Sequence, residues 1–271
     1  MSEPTRPPPP PAPDTGRAAP RPRLEEMDID AMLRDPERKP LLVTPMFDLV
    51  APRYDQFTRR FSFGMDRRWK ARLVRSVVRD APRGGRVIDM ACGTGDLAFA
   101  VAAARADLHV TGVDASSEML RRAEERRHRL GAHNVSLVAG DLGRLGLPNA
   151  SADVVTAGYA VRNAPSWEGA VGELARVLRP EGRLYTLDFF LPGNRIWRGV
   201  LLRYLRLAGR LVGWWWHREP MAYGYIERSI VHFTSVAGFT TALQRNGLEV
   251  TSVQRFLGGG IAIHEATRRP V

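Results

Sequence analysis

The sequence predicts an α/β fold, a mostly parallel seven-stranded sheet with helices on both faces. Short apolar runs alternate with helical segments between residues 86 and 189, which is the pattern of parallel βαβ units. A glycine-rich loop follows the first of these runs, at a position that is typical of ligand-binding turns. Two later apolar runs are joined through Gly258, Gly259 and Gly260, and they predict an antiparallel hairpin at the sheet edge.

The predicted elements follow one another along the chain. Apolar residues at helical spacing predict helices over 41–60 and 66–79. Ser116 and Glu118 have the chemistry of a helix start, and further helices are predicted over 167–178 and 235–246. The predicted strands are 86–90, 108–113, 135–138, 153–157, 184–189, 248–255 and 260–266.

The amino-terminal end differs in composition from the rest of the chain. Proline recurs through residues 1–22, with almost no large apolar side chains, so this stretch cannot bury enough surface to offset its ordering entropy. We therefore expect a disordered tail over 1–38 and one domain over 39–271, with a helical lid inserted at about 192–233. Cys92 is the single cysteine, so no intrachain disulfide can form, as is typical of a cytoplasmic protein.

The loop after the first strand predicts a cofactor site. Gly93 and Gly95 allow unusual backbone angles and a close approach by a ligand. The spacing also suits a dinucleotide, with Asp114 placed to hold a ribose. However, Asp89 and Asp96 flank the loop and would repel a pyrophosphate, whereas they would attract the ammonium and sulfonium of S-adenosylmethionine. We favour S-adenosylmethionine, and a nicotinamide dinucleotide remains the alternative.

Four chain segments leave the predicted parallel strands at the same edge of the sheet. They are Gly93–Asp96, Asp114, Asp141 and the stretch from Gly158 to Asn163. Ligands of such sheets bind outside the carboxyl ends of the strands. We therefore expect these segments to form one crevice, and no metal site is predicted there.

The chain is strongly basic, with a formal net charge of +11. A basic excess is typical of proteins that bind nucleic acids or anionic membranes. Arginines between 121 and 129 alternate with Glu124 and Glu125, and we interpret them as a solvated helix face. The segment Ala160–Pro165 lacks the loop of enzymes that methylate base amino groups, so we predict no nucleic-acid partner.

Several short motifs are spread over the chain. They are Phe47-Asp48 with Tyr54-Asp55, Ser62-Phe63-Gly64, Ala91–Asp96, Val113-Asp114, Val161-Arg162-Asn163, Arg176–Pro180, Ala222-Tyr223 with Tyr225, and Gly260–His264. Together these motifs resemble the ubiquinone/menaquinone biosynthesis C-methyltransferases. The resemblance runs from about 46 to 266 and implies a Rossmann-like class I methyltransferase fold that uses S-adenosylmethionine. One departure is Gly158, where members of that family often carry serine.

The resemblance also implies roles for individual residues. Thr94, Asp114, Asp141 and Leu142 fall where the family contacts the cofactor, with Asp114 on the ribose and Asp141 and Leu142 at the adenine. Gly93, Gly95 and Asp89 complete the predicted cofactor site. The implied substrate is a prenylated hydroquinone, for which Tyr54, Tyr223 and Tyr225 are candidate contacts.

The implied reaction places a methyl group on a ring carbon, which requires loss of a neighbouring hydroxyl proton. Arg162 cannot be a direct base, because a guanidinium does not lose its proton in proteins. It can stabilise a phenolate or orient a water, and Asn163 can hold either. The alternative for this pair is structural hydrogen bonding in a loop. His264 is a candidate base by its ordinary pKa, with a packing role as the alternative.

Residues 195–216 predict an amphipathic helix with arginines on one arc and apolar side chains on the other. We predict that this helix contacts an anionic membrane, which places a cytoplasmic protein at the inner face of the cell membrane. Packing on the protein's own sheet and a homodimer contact are the alternatives. A methyltransferase for another lipophilic molecule, a nicotinamide-dependent oxidoreductase and a non-enzymatic binding module are the rival functions.

Overall fold

A computed structural model describes residues 28–216 and 220–270 of the chain. Its strands form one seven-stranded sheet in the order β3-β2-β1-β4-β5-β7-β6. The strands are β1 (Arg86–Met90), β2 (His109–Asp114), β3 (Val135–Ala139), β4 (Ala152–Gly158), β5 (Leu178–Phe189), β6 (Leu248–Phe256) and β7 (Ile261–Arg268).

The pairing of the strands confirms the predicted mixed sheet. The first five strands pair in parallel, whereas β7 runs antiparallel to β5 and β6 antiparallel to β7. The carboxyl-terminal hairpin therefore closes one side of the sheet, as predicted. The strand order reverses between β1 and β4, and the crevice at such a switch point is where ligands of this architecture bind.

Ten helices are described. They are α1 (Ile29–Arg34), α2 (Lys39–Val50), α3 (Tyr54–Phe61), α4 (Met65–Asp80), α5 (Asp96–Ala104), α6 (Ser117–Leu130), α7 (Trp167–Val177), α8 (Arg195–Trp216), α9 (Pro220–Val231) and α10 (Val236–Arg245). Ser116 caps α6 as its sequence predicts, because its hydroxyl accepts a hydrogen bond from the Met119 N–H at 3.1 Å.

Helices cover both faces of the sheet because successive strand residues point to opposite sides. Val87 packs in a buried cluster with Leu73 of α4 and Phe99 of α5. Its neighbour Ile88 packs on the other face in a cluster that includes Leu174 of α7 and Phe239 of α10. The two clusters hold the sheet between them and leave the carboxyl ends of the strands for the site.

The predicted tail boundary at residue 38 is wrong. The short helix α1 buries Ile29, Met32 and Leu33, each no more than 6% exposed. These side chains join a cluster with Met46 of α2 and Tyr225 of α9, so residues 28–38 belong to the folded domain. The proline-rich stretch up to residue 27 lies outside the described residues.

The predicted helical insertion consists of α8 and α9, which follow β5 and precede α10 along the chain. These two helices pack against each other. Leu201 and Leu205 of α8 are buried with Ile230 of α9. Within residues 28–216 and 220–270, no helix is both long enough and apolar enough to cross a bilayer.

Candidate active site

The loop between β1 and α5 is held from beneath by Asp89. The Asp89 carboxylate accepts a hydrogen bond from the Ala98 N–H at 3.1 Å and another from the Thr156 hydroxyl at 2.6 Å. Burial raises the pKa of Asp89 to about 7. Asp89 is 1% exposed and lies outside both cavities described below. Its role in this structure is to fix the start of α5.

Gly95 and Thr94 also shape the loop from outside the cavities. Gly95 has a φ of +85°, and a Cβ at this position would lie 2.3 Å from the Phe99 ring. The Thr94 hydroxyl donates to the Asp55 carboxylate at 2.7 Å. The geometry of the turn therefore requires glycine at 95, and Thr94 ties the turn to α3.

Asp114 connects two walls of the crevice. One of its carboxylate oxygens accepts a hydrogen bond from the Gly93 N–H at 2.7 Å, and the other accepts from the Ser116 N–H at 2.9 Å. Burial raises the pKa of Asp114, and the backbone hydrogen bonds oppose this effect. Asp114 thus aligns the glycine loop with the start of α6.

A first cavity, the cofactor cavity, occupies about 80 Å³ at the carboxyl ends of the parallel strands. Six of the predicted site residues line it: Tyr54, Gly93, Asp114, Asp141, Leu142 and Asn163. The helix α2 covers the cavity with Pro40, Val43, Thr44 and Phe47. The cavity offers two carboxylates for hydroxyl and amino groups and an apolar surface for a flat ring. These groups suit the nucleoside part of S-adenosylmethionine, although the space in this structure is too small to enclose the whole cofactor.

Gly158 also lines the cofactor cavity, and its lack of a side chain has a local cause. A Cβ at this position would lie 2.7 Å from Cδ1 of Leu97, closer than side-chain atoms approach in a packed core. Leu97 is buried at 4% exposure. The space that a serine would use is therefore occupied by an apolar side chain from α5.

The charge distribution around the loop differs from the sequence-based argument. Asp96 forms ion pairs with Lys70 at 3.1 Å and with Arg126 at 2.6 Å. Burial lowers the pKa of Lys70, but its neighbours Asp66 and Asp96 outweigh this effect and raise it. Asp96 is thus neutralised by cations and Asp89 is buried, so Asp114 and Asp141 are the carboxylates that face the cavity.

A second cavity, the apolar cavity, has a volume of about 370 Å³ and lies between α2, α3, α4, α8 and α9. Its walls include Met46, Val50, Met65, Trp69, Phe189, Leu201, Leu205, Ile226 and Ile261. Phe47, Tyr54 and Tyr159 line both cavities. The two spaces therefore adjoin at these three aromatic side chains.

Arg162 lies in the wall of the apolar cavity. Its Nη1 donates to Asp188 Oδ1 at 2.5 Å, and its backbone N–H donates to Asp188 Oδ2 at 3.2 Å. Burial opposes the charge of Arg162, but the Asp188 carboxylate outweighs it and raises the pKa of the guanidinium. The buried Nε has no hydrogen-bond partner among the described residues.

Asn163 holds the aromatic boundary between the cavities. Its Nδ2 donates to the Tyr159 carbonyl at 2.8 Å, and its Oδ1 accepts from the Tyr225 hydroxyl at 2.9 Å. Tyr159 has a φ of +59°, a conformation that an L side chain adopts only when its surroundings impose it. Asn163 is one of those constraints, because it holds the Tyr159 carbonyl.

A further predicted residue, His264, lines neither cavity. His264 is fully buried on β7, where its ring packs between Phe190 and Phe239 and burial lowers its pKa to about 4. This environment is that of a packing residue, and we do not retain His264 as a base. The side chain of Tyr223 lies outside the described residues.

Two residues that contact Arg162, Asp188 and Lys39, were missed by the sequence interpretation, and Tyr159 was included only as part of the stretch from Gly158 to Asn163. Asp188 interrupts the apolar run of β5, and a charged residue within a buried strand is a usable signal of function. Tyr159 directly follows β4, where cavity residues are expected. Lys39 is 5% exposed and donates to the Arg162 carbonyl at 2.8 Å, and nothing in its sequence context indicates that it is buried.

Comparison with known proteins adds independent findings. The model of the ubiE/COQ5 methyltransferase family matches residues 33–268. The chain is 37% identical over 224 residues to the ubiquinone/menaquinone biosynthesis C-methyltransferase UbiE of Rubrivivax gelatinosus, covering 82% of this chain and 85% of that one. It is 29% identical over 229 residues to the demethylmenaquinone methyltransferase of Listeria monocytogenes, covering 84% and 96%.

Solved structures support the fold. A SAM-dependent methyltransferase from Aquifex aeolicus matches with a TM-score of 0.52 and 17% identity, covering 72% of this chain and 89% of that chain. At this identity the match concerns the fold alone.

Proposed function

The chain belongs to the ubiE/COQ5 methyltransferase family, and we propose that it methylates a ring carbon of a prenylated hydroquinone. It is an S-adenosylmethionine-dependent C-methyltransferase of quinone biosynthesis. One observation carries the proposal for the substrate. The cofactor cavity, which Asp114 and Asp141 line, adjoins the larger apolar cavity at Phe47, Tyr54 and Tyr159, so that the two reactants would meet at this boundary.

S-adenosylmethionine supplies a methyl group on an electrophilic sulfonium. We assign Asp114 to the ribose hydroxyls, Asp141 to the adenine edge and Leu142 to its face, since all three line the cofactor cavity. Gly93 lets the backbone approach the ligand, because the space beside its Cα is open except for Met119 Sδ at 3.9 Å. Asp89, Thr94 and Gly95 fix the loop from behind.

Arg162 is the residue that we assign to the quinol oxygen. Ring carbon becomes a good nucleophile when the neighbouring hydroxyl loses its proton, and a positive charge beside that oxygen favours the loss. The unpartnered Nε–H of Arg162 can donate to the developing phenolate while Nη1 remains bound to Asp188. After the methyl group is transferred, the ring carbon releases its own proton and aromaticity returns.

The tyrosines at the boundary act as donors and not as bases. Burial raises the pKa of Tyr54, and it raises the pKa of Tyr159 together with the nearby Asp66 charge. Both phenols therefore keep their protons at neutral pH. Water is left as the proton acceptor, and Tyr54 and Tyr159 orient the quinol ring against the methyl donor.

We also assign a membrane-facing role to the outer surface of α8. Ile196, Val200, Tyr204 and Leu207 form a stripe, each 37% or more exposed, beside the exposed Arg203. An apolar stripe flanked by arginines suits the surface of an anionic bilayer, and a prenylated quinol resides in a bilayer. The inner arc of the same helix packs on the protein through Leu201 and Leu205.

The assignment of Arg162 is tested by Arg162→Lys. Truncation to alanine would leave the buried Asp188 unpaired, which costs about 3–5 kcal/mol of stability, so the lysine variant is the more decisive one. Lysine keeps the charge beside Asp188 but lacks the planar fork. We expect single-turnover methyl transfer to slow by about 10²-fold or more, with S-adenosylmethionine affinity unchanged by calorimetry. A fully active lysine variant would return Arg162 to a structural role.

A further inference from the structure

The apolar cavity runs from a buried end to an exposed end. Arg162, Tyr159 and Tyr225 line the inner end and are at most 7% exposed. Phe63 and Tyr204 line the outer end, at 76% and 37% exposure. A ligand with a polar ring and an apolar chain therefore fits in one direction, with the ring inward and the chain outward.

The volume of the cavity limits how much of such a ligand it can enclose. At about 370 Å³, the cavity lies at the small end of the range of roughly 300–1,000 Å³ for sites that enclose drug-sized ligands. A quinol ring with the first part of its chain fills that space. Further isoprene units of a long chain have to leave through the outer end.

The rim of the cavity at its outer end includes Phe63 and Tyr204. Phe63 and Gly64 have φ values of 50° and 74°, and the Gly64 N–H donates to the Arg59 carbonyl at 2.8 Å. This left-handed turn projects the Phe63 ring outward, where it stacks on Tyr204 with ring centroids 6.3 Å apart and 28° between their planes.

The helix α8 forms the side of this rim that faces Phe63, and its first turn is attached to the sheet. The indole N–H of Trp197 donates to the Leu257 carbonyl at 2.6 Å, which ties the start of α8 to the turn before β7. Val200, one turn further along, is 51% exposed and lines the apolar cavity. The rim is therefore lined by Phe63, Tyr204 and Val200, and the cavity opens beside the exposed stripe of α8.

We propose that Phe63, Val200 and Tyr204 form the exit through which the substrate's prenyl chain leaves the apolar cavity. This inference rests on the proposed function. The enzyme encloses the quinol ring and the first isoprene units and leaves the remaining chain in contact with the α8 stripe and the bilayer. Methylation is consequently insensitive to chain length once the cavity is filled.

The test compares substrates that differ only in chain length, presented in the same detergent micelles. Val200→Trp narrows the exit without filling the core, because Val200 is half exposed. Leu130→Trp is the control, since Leu130 is also an exposed leucine, at the end of α6, and lines neither cavity. The readout is kcat/KM with demethylated quinols that carry one, four or eight isoprene units.

For the wild-type enzyme we expect kcat/KM to level off as the chain lengthens. Val200→Trp should lower kcat/KM for the eight-isoprene substrate by about tenfold or more and for the one-isoprene substrate by less than about twofold, while Leu130→Trp affects neither. An equal loss of kcat/KM on the short and the long substrate would contradict the proposed exit but not the proposed function. A maximum of the wild-type kcat/KM at one long chain length would have the same meaning. If the wild type methylates no quinol of either length, the proposed function fails as well.

Discussion

At the scale of single residues, we propose that cofactor binding depends most on Asp114. It lines the cofactor cavity and also accepts hydrogen bonds from two backbone N–H groups. We expect Asp114→Ala to weaken S-adenosylmethionine binding about tenfold or more, because hydrogen bonds to a charged group contribute roughly 1.5–3 kcal/mol. Isothermal calorimetry measures the affinity directly.

The matched control for Asp114→Ala is Asp107→Ala. The Asp107 carboxylate also accepts a backbone hydrogen bond, from the Gly84 N–H at 3.0 Å, but Asp107 lines neither cavity. Its variant should bind S-adenosylmethionine as the wild type does. Unchanged affinity in a folded Asp114→Ala protein would remove Asp114 from the proposed site.

Lys39 is a second residue whose role is measurable. Burial, followed by the nearby charge of Arg162, lowers its pKa from 10.5 to about 8. The unfolded chain therefore binds this proton more tightly than the folded protein does. The penalty for burying the charge is present below pH 8 and disappears as the pH rises towards 10.5, so Lys39 makes the protein more stable as the pH increases.

We expect this effect to appear in the difference between the wild type and Lys39→Met. From pH 7.5 to 9.5, the free energy of unfolding of the wild type should gain about 2 kcal/mol relative to the variant. Other titrating groups are common to both proteins and cancel in the difference. Urea denaturation at several pH values provides the measurement, and parallel profiles for the two proteins would refute the lowered pKa.

At the scale of elements, α8 carries two apolar surfaces with different surroundings. Leu201 and Leu205 pack within the protein, whereas Ile196 and Leu207 are 81% and 60% exposed. The sequence showed one wide apolar arc on this helix. From the sequence, this arc could pack on the protein core, contact a membrane or contact a second copy of the chain. The periodicity of the sequence cannot show which apolar residues of the arc pack on the protein and which stay exposed, because only the tertiary structure determines this.

The exposed surface of α8 predicts binding to anionic vesicles. Ile196→Ser with Leu207→Ser should weaken co-sedimentation with vesicles that contain anionic lipid, because each change removes an apolar side chain from the bilayer contact. Leu130→Ser is the control, since Leu130 is 57% exposed at the end of α6. Equal binding by all three proteins, or none by the wild type at low salt, would exclude this surface as the membrane contact.

The strands and α1 illustrate what sequence patterns can and cannot predict for elements. All seven strands were predicted near their positions along the chain, since their apolar runs are separated by clear turns and helices, although β5 begins at Leu178 and not at residue 184. The helix α1 was not predicted, because its three buried residues make too short a pattern next to a proline-rich stretch. Its packing against α2 and Tyr225 is a tertiary effect.

The ion pairs of the α6 arginines agree with the sequence interpretation of a solvated helix face. Arg121 and Arg122 pair with Glu118, and Arg127 pairs with Glu124. Much of the charge of this helix is therefore balanced along its own surface. Such exposed pairs add little stability.

At the scale of the whole molecule, the position of the site follows from the topology. The residues that leave β1, β2, β3 and β4 were expected in one crevice, and Gly93, Asp114, Asp141 and Asn163 do line one cavity. Parallel strands bring their carboxyl ends to one edge, so order along the chain is enough for this prediction.

The direction in which individual side chains point could not be derived in the same way. Asp89 lies under the loop and His264 lies between two phenylalanines, although both stand beside site residues in the sequence. Asp188 and Lys39 come from distant segments and meet at Arg162. Such contacts depend on how helices pack over the sheet, which no local pattern specifies.

Labelled methyl transfer by the purified protein tests the central claim most directly. The enzyme would be incubated with methyl-labelled S-adenosylmethionine and a reduced, demethylated prenyl quinol in detergent, and the product analysed by mass spectrometry. We predict one labelled methyl group on a ring carbon, formed by the wild type and about 10²-fold more slowly by Arg162→Lys. Label on a quinol oxygen, or no labelled quinol with a folded enzyme that binds S-adenosylmethionine, would contradict it.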